Sequence, residues 1–136
     1  MTLKLLFAPR SGEIFGAQAV GHDGVDKRID VIATAIRGEI SAPELADLEL
    51  AYAPPFGSAK DPVNMLGYIA ENLISGLIKT AQWSEIDQFV TNGYQLVDVR
   101  SPAEFSQGSI PGALNMPVDE IRDRSAELGN KNLLVN

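Results

Sequence analysis

The apolar residues of this chain change their spacing once, between residues 75 and 82. Before this segment, an alternating strand pattern is followed by apolar residues at helical intervals, as in a strand pair packed on helices. After it, short β-branched runs alternate with short helical segments, which is typical of parallel strands joined by helices. The sequence therefore predicts two domains, 1–78 and 79–136: an α+β domain with antiparallel strands plus helices, then an α/β domain.

The first domain is predicted to open with a β-hairpin of residues 2–8 and 13–20, because a turn containing Pro and Gly separates two apolar runs. A helix over 25–37 follows, with Asp23 or Asp26 able to cap its start. Its spacing predicts the following apolar face: Val25, Ile29, Ile32, Ala33 and Ile36.

Two further helices are predicted in the first domain. Ser41 and Glu44 have the S-x-x-E spacing of a capping box, which indicates a short helix. Asp61 is the expected N-cap of a longer helix over 62–77, with Pro62 at the first position, where its missing N–H costs nothing. The apolar face of this helix is predicted to comprise Leu66, Ile69, Ala70, Leu73, Ile74 and Leu77.

The second domain is predicted to alternate helices and strands. Ser84 is the expected N-cap of a helix, and residues 94–99 form a β-branched run suited to a buried strand. Ser101 is expected to cap a one-turn helix with the same S-x-x-E spacing. A helix over 119–128 and a strand over 132–136 follow, so the sheet is expected to be parallel.

The chain is acidic: its 136 residues include 11 Lys and Arg against 18 Asp and Glu, a net charge of -7. Phosphate backbones need clustered Lys and Arg, so nucleic acid is excluded as a partner. The longest basic run, Lys27-Arg28, lies between Asp26 and Asp30 and predicts a salt-linked helix face. No apolar stretch reaches the roughly 18–20 residues of a membrane span, and no signal-peptide core follows Met1, so we expect a cytoplasmic protein without membrane contact.

The chain contains no Cys and a single His, His22. Disulfides, thiolate metal sites and a cysteine nucleophile carried by this chain are thereby excluded. One His leaves little for a zinc site or a His-dependent triad, so we expect no bound metal.

The second domain carries the densest motif of the chain, which runs from Asp98-Val-Arg100 through Glu104-Phe105 to the segment 108–117. This motif resembles the first signature of the rhodanese-like sulfurtransferases, with Ser109 where that family usually has His. The resemblance implies an incomplete α/β rhodanese-like domain, because its cysteine nucleophile would follow the strand that ends at Asn136. We therefore expect no sulfur transfer from this chain alone.

The motif residues themselves have simple structural interpretations. Asp98 and Arg100, at the end of a buried strand, are expected to form a hydrogen-bonded pair that fastens the next loop, with substrate contact as the alternative. Gly108 and Gly112 are expected to be turn residues that permit positive φ. Together with Glu104, these positions are predicted to be mainly structural.

The first domain resembles the dimerisation domain of FAD-dependent pyridine nucleotide-disulfide oxidoreductases, above all in Leu50-Ala-Tyr-Ala-Pro-Pro-Phe56 and Lys60-Asp-Pro-Val-Asn-Met65. The His-Pro pair of the glutathione reductase branch is absent. These motifs are instead similar to the branch of coenzyme A-disulfide and coenzyme A-persulfide reductases, in which a rhodanese domain is fused in this order. The resemblance implies a homodimer, or a dimer with a full-length reductase subunit.

The same resemblance assigns roles to three side chains. Tyr52 matches the tyrosine that reaches across the dimer to the partner's active site, beside the coenzyme A thiol; an interface tyrosine with a hydrated hydroxyl is the alternative. Phe56 is expected to lie near the partner's flavin, and Lys60 near a coenzyme A phosphate. Ordinary packing of Phe56 and a solvated Lys60 are the alternatives.

No G-x-G-x-x-G follows a strand, so the chain itself holds neither FAD nor NAD(P)H. FAD, NAD(P)H and coenzyme A, with small thiols and disulfides as substrates, are implied for the parent enzyme only. The leading hypothesis is a C-terminal fragment of a coenzyme A-disulfide or persulfide reductase, inactive alone. The alternative is a stand-alone, non-catalytic dimerisation or binding module.

Overall fold

In a computed structural model, the chain is described over residues 1–55 and 57–136. These residues form two compact units, unit 1 over 1–80 and unit 2 over 81–136. Each unit has its own secondary structure and is described by itself.

Unit 1 begins with an antiparallel hairpin of β1 (Thr2–Phe7) and β2 (Ile14–Val20). The turn between them ends at Gly12, which has φ 74°. A Cβ at Gly12 would lie 2.9 Å from Pro43 Cδ, and the Gly12 carbonyl accepts from the Ala42 N–H at 2.7 Å. Only glycine suits this position, because both the backbone conformation and the close approach exclude a side chain.

The rest of unit 1 is helical. It consists of α1 (Val25–Arg37), a 3-10 helix (Pro43–Asp47) and α2 (Pro62–Ile74). The hairpin and these helices enclose one core, whose buried members are Ile14, Ile32, Ala35, Ala42, Leu45, Val63 and Ala70. The predicted α+β class, an antiparallel strand pair with helices, is confirmed.

The prediction for α1 is correct in its bounds and wrong in two details. The N-cap is Gly24, in the left-handed region at φ 62°, and no side chain caps the helix. Ala33 and Ile36 are exposed, whereas Ile32 and Ala35 are buried. The buried face of the helix is the one that carries Arg28, whose ion partner is Asp61, the N-cap of α2.

The two later helices of unit 1 also differ from prediction. The segment after Ser41 forms a 3-10 helix, and the Ser41 hydroxyl donates to the Glu44 carboxylate at 2.6 Å instead of accepting from a helix N–H. Asp61 and Pro62 begin α2 as predicted. The helix stops at Ile74, however, and Leu77 beyond it is 78% exposed.

Unit 2 contains a three-stranded parallel sheet in the order β4-β3-β5. Its strands are β3 (Gln95–Asp98), β4 (Leu114–Asn115) and β5 (Leu133–Val135). Its α-helices are α3 (Ile86–Thr91), α4 (Pro102–Ser106) and α5 (Ile121–Arg124). The predicted α/β pattern with parallel strands is confirmed, and β3 lies in the middle of the sheet with Leu96, Val97 and Asp98 buried.

Two helix predictions in unit 2 are corrected. Ser84 does not cap α3: a 3-10 helix (Trp83–Glu85) precedes it, and the Gln82 N–H donates to the Glu85 carboxylate at 2.7 Å. The helix predicted over 119–128 is shorter, because the Glu120 N–H bonds back to the Pro117 carbonyl in a turn. The chain then passes through α5 into a 3-10 helix.

Candidate functional site

Tyr52 lies in the segment 48–61, which joins the 3-10 helix of unit 1 to α2 and is called the Tyr52 segment below. The Tyr52 side chain is half exposed, and within the described ranges its hydroxyl takes part in no hydrogen bond. Pro54 and Pro55 follow closely and restrict the backbone. A phenol O–H held on such a segment is free to donate to a group from outside unit 1.

A single buried amide, that of Asn64 in the first turn of α2, joins the two ends of the Tyr52 segment. Its Nδ2 donates to the carbonyl oxygens of Leu45 and Leu48, at 3.0 and 2.9 Å. Its Oδ1 accepts from the backbone N–H of Asp61 at 3.0 Å. The first and the last residue of the segment are therefore both hydrogen-bonded to the side chain of Asn64.

Asp61, at the end of the Tyr52 segment, is held by a second contact. One carboxylate oxygen accepts from the Val63 N–H at 3.0 Å and caps α2. The other lies 2.9 Å from Arg28 Nη2, with both side chains less than 15% exposed. Arg28 also donates to the Gly24 carbonyl at 3.0 Å. This ion pair joins α1 to α2, so the predicted pairing of Arg28 within its own helix face is wrong.

Lys60 lies within the Tyr52 segment and points towards Tyr68 on α2. Its Nζ is 5.4 Å from the centre of the Tyr68 ring, in a cation-π arrangement. Tyr68, followed by the carboxylates of Glu49 and Asp47, raises the pKa of Lys60, so the ammonium stays charged at neutral pH. The proposed phosphate contact of Lys60 stays a prediction, and Phe56 lies outside the described residues.

In unit 2, the Asp98–Arg100 pair lies at the carboxyl end of the central strand. Asp98 is fully buried and accepts from the Arg100 backbone N–H at 3.0 Å and from Arg100 Nη2 at 2.6 Å. The same Nη2 donates to the carbonyl oxygen of Gly108 at 2.8 Å. The pair thus ties the loop around Gly108 to the end of β3.

Two asparagines extend this network across the sheet edge. Asn115 Nδ2 donates to the carbonyl oxygens of Asp98 and Arg100, at 3.1 and 2.9 Å. Asn136 Nδ2 lies 3.3 Å from Asp98 Oδ2. The hydrogen bonds from Arg100, and to a smaller extent that from Asn136, lower the pKa of Asp98 to about 2. The carboxylate is therefore charged at neutral pH although it is buried.

The remaining motif positions serve local geometry. Ser101 and Glu104 form a complete capping box on α4, which confirms the predicted cap, and Ser101 lowers the pKa of Glu104. Gly108 and Gly112 have φ 149° and 82°. The loop and the sheet edge border an open hollow of about 590 Å³, which is lined by Arg100, Gly108, Ser109, Ile110, Pro111 and Asn136.

The contacts of three of these anchoring residues were not predicted from the sequence. Asn64 could have been noticed, because Asp61-x-x-Asn64 has the spacing of a reciprocal cap. No local pattern indicates Arg28, whose partner lies 33 residues away, or Asn136, whose partner lies 38 residues away.

Some kinds of site do not occur in the part of the chain that the structure describes. No three potential metal ligands of the His, Cys, Asp and Glu types converge there. No helix of that part is long and apolar enough to cross a membrane.

Comparison with known families divides the chain in the same way as the fold. Residues 1–62 match the dimerisation domain of the pyridine nucleotide-disulphide oxidoreductases, and residues 83–135 match the rhodanese-like domain. The chain therefore consists of a pyridine nucleotide-disulphide oxidoreductase dimerisation domain followed by a rhodanese-like domain.

The chain is similar to named reductases. The chain is 46% identical over 71 residues to the coenzyme A disulfide reductase of Staphylococcus haemolyticus, which is 52% of this chain and 16% of the relative. Reduced CoADR-RHD of Bacillus anthracis matches with a TM-score of 0.93 and 54% identity. An NAD-dependent persulfide reductase from A. fulgidus matches with a TM-score of 0.83 and 36% identity. Both structures cover 98% of this chain, which spans 24% of each of theirs.

Proposed function

We propose that this chain is the C-terminal part of an FAD-dependent reductase that uses NAD(P)H to reduce coenzyme A disulfide, coenzyme A persulfide or polysulfide. In that enzyme it supplies the homodimer surface and places Tyr52 in the active site of the partner. The observation that carries this proposal is the exposed phenol of Tyr52, on a segment that is anchored at both ends. The relatives named as coenzyme A disulfide and persulfide reductases support the substrate class.

The role of Tyr52 follows from the chemistry of disulfide reduction. One hydride from NAD(P)H and one proton convert a coenzyme A disulfide into two coenzyme A thiols. Cleavage of the S–S bond releases a thiolate, and a phenol O–H can donate a hydrogen bond to it. A donor already oriented towards the developing charge lowers the barrier, because it need not reorganise during the reaction.

The residues of this chain do not fit a dinucleotide of their own. In unit 2 the turn after β3 leads into α4, a helix of only five residues. The Glu104 N–H of this helix donates to the Ser101 hydroxyl, and the Ser101 N–H donates to the Glu104 carboxylate. FAD and NAD(P)H therefore belong to other parts of the proposed enzyme, and no step of their chemistry is assigned to these residues.

The dimer surface is proposed to include the outer face of α2. Met65 and Ile69 lie one turn apart on this helix and are each about half exposed, whereas Val63 and Ala70 face the core. An apolar stripe opposite a buried face is typical of a helix that packs on two sides. Self-association would cover this stripe.

A heterodimer experiment tests the proposal. The chain is co-expressed with full-length S. haemolyticus coenzyme A disulfide reductase in which the tyrosine aligned with Tyr52 is replaced by Phe. The two carry different affinity tags, so that the heterodimer can be isolated. NAD(P)H oxidation with coenzyme A disulfide is then measured, with Tyr52→Phe and, as a matched control, Tyr94→Phe introduced into the chain.

The heterodimer with the unaltered chain, or with Tyr94→Phe, should turn over ~10²-fold faster than that with Tyr52→Phe, the usual cost of one lost donor. Equal rates for all three would refute the role of Tyr52. Failure of the chain to form either a heterodimer or a homodimer would contradict the proposal that it supplies the dimer surface. By itself the chain is expected to transfer no sulfur from thiosulfate to cyanide, because none of its residues is a Cys.

A further inference from the structure

We infer that Asn64 is a positioning residue for Tyr52: its buried amide closes the base of the Tyr52 segment and so fixes where the phenol can reach. This inference rests on the proposed function of Tyr52. Asn64 does not touch the exposed side of the segment, and its effect on the reaction is indirect.

The first support is the geometry of the amide. Asn64 uses its donor and acceptor sides on opposite ends of one segment: Nδ2 bonds to the Leu48 carbonyl, and Oδ1 receives the Asp61 N–H. A third bond, to Leu45, holds the amide plane. Both ends of the segment are therefore fixed to the same rigid group. The position of Tyr52 between these ends is limited by the intervening chain, in which two prolines reduce the number of conformations.

The second support is the close packing beneath the amide. Gly67, one turn along α2, lies against the backbone of the 3-10 helix, where an added Cβ would be 2.8 Å from Ala46 Cα. Asn64 and Leu48 cannot separate by a shift of α2 without breaking this contact. The position of the amide is thus fixed by the packing of α2. Loss of its hydrogen-bond donors should make the start of the segment mobile while the rest of unit 1 stays folded.

The two halves of the amide can be tested separately. Asn64→Asp is nearly isosteric and keeps the acceptor for the Asp61 N–H, but in its ionised form it cannot donate to Leu48. Asn64→Ala removes both halves and serves as a second variant if the buried carboxylate prevents folding. Val63→Ala is the matched control: Val63 is equally buried on α2, and its side chain belongs to the core.

Two measurements are made on each variant. Amide hydrogen exchange of the full chain reports the order of residues 48–61 relative to β1 and β2. The heterodimer described above, in which the chain supplies the tyrosine, gives kcat and KM for coenzyme A disulfide. The three tyrosines can also be fluorinated, and the Tyr52 signal is assigned by its loss in Tyr52→Phe.

With either Asn64 variant, exchange in the segment should rise at least ~10-fold while β1 and β2 stay protected. The kcat should fall by up to ~10²-fold with little change in KM, because a small misplacement of a reacting group affects the transition state most. The fluorine signal of Tyr52 should shift or broaden. Val63→Ala removes core volume but no hydrogen bond of the segment, so it should lower protection throughout unit 1, β1 and β2 included, without a selective loss in the segment. It should leave kcat and the fluorine signal of Tyr52 near those of the unaltered chain.

Three results would overturn the inference: unchanged exchange in the segment, loosened exchange with unchanged kcat, or an equal effect of Val63→Ala. These failures differ from failure of the proposed function. If Tyr52→Phe itself leaves the heterodimer fully active, the role of Tyr52 is wrong, whatever Asn64 does to the order of the segment.

Discussion

Replacement of Gly67 by Ala should destabilise unit 1, although the same change stabilises most helices. Gly67 lies on α2 against the 3-10 helix Pro43–Asp47, where an added Cβ would be 2.8 Å from both Ala46 Cα and the Leu45 carbonyl carbon, and closer still to Ala46 N. These are backbone atoms, so no side-chain rotation relieves the overlap. In an open helix Ala gains about 1 kcal/mol over Gly. Overpacking costs about 1–3 kcal/mol or more, and the backbone contact places Gly67 at the upper end.

The expected net change is a loss of about 2 kcal/mol in the free energy of unfolding of unit 1. Urea unfolding followed by circular dichroism, at a fixed protein concentration, measures it, and hydrogen exchange assigns the loss to unit 1. Gly16→Ala is the matched control: Gly16 lies in β2 with nothing within 4 Å of an added Cβ. That variant should be unchanged or gain up to about 1 kcal/mol. A Gly67→Ala chain as stable as the control would refute the close approach of the two helices.

Three further predictions concern charge and the exposed helix face. Asp98 has its pKa lowered from 3.8 to about 2, so its contribution to stability is complete above 3.8 and is lost as the pH falls towards 2. An acid titration by circular dichroism should show the stability difference between Asp98→Asn and the unaltered chain shrinking in this window; a constant difference would contradict it. Asp61→Asn keeps the cap on α2 but leaves Arg28 without its ion partner, which should cost about 1.5–3 kcal/mol in urea unfolding. The double variant Asp61→Asn/Arg28→Met should recover part of this loss, because Met removes the unpaired charge of Arg28. Ile69→Lys should shift light scattering towards the monomer, and an unchanged mass would exclude this face from the dimer surface.

The sequence predicts the elements of unit 1 better than their orientation. Apolar spacing correctly indicates α1, but it assigns Ala33 and Ile36 to the core side. The structure turns the helix so that Arg28 meets Asp61. A periodic pattern contains information on which residues share a face, whereas the choice between two partly apolar faces depends on distant partners. No property of residues 25–37 alone identifies Asp61 as that partner.

Two caps were predicted correctly, both with partners close in sequence. The Ser101 cap and the start of α2 at Asp61 agree with prediction, because each pairs groups within one helical turn. Ser41 shows the limit of this reasoning. It has the same spacing to Glu44, yet its hydroxyl accepts from no helix N–H and the segment becomes a 3-10 helix. The Ala42 N–H donates to the Gly12 carbonyl of the hairpin. The local sequence pattern of a helix cap cannot predict this contact, because Gly12 lies 30 residues earlier in the chain.

Asn64 and Asp98 explain why the motifs of this chain indicate a fold more strongly than a reaction. Each is a buried polar side chain whose bonds join segments far apart in sequence. Within the described residues, every buried side-chain nitrogen or oxygen has a hydrogen-bond partner. Each such group therefore needs a donor or an acceptor at a particular place beside it. Few residue types can replace Asn64 or Asp98, because a buried donor or acceptor left unpaired would cost about 1–3 kcal/mol of stability.

The motif residues 60–65 and 98–108 are therefore specific because they anchor loops, which is a requirement of the scaffold. The Asp98–Arg100 pair illustrates this: it fastens the loop at Gly108 in a chain that has no Cys to act as a nucleophile. Tyr52, the proposed reacting group, is the opposite case, since its hydroxyl has no hydrogen-bond partner among the described residues and its side chain is half exposed. Its proposed role depends on a partner subunit, and the heterodimer experiment is the direct measure of that role.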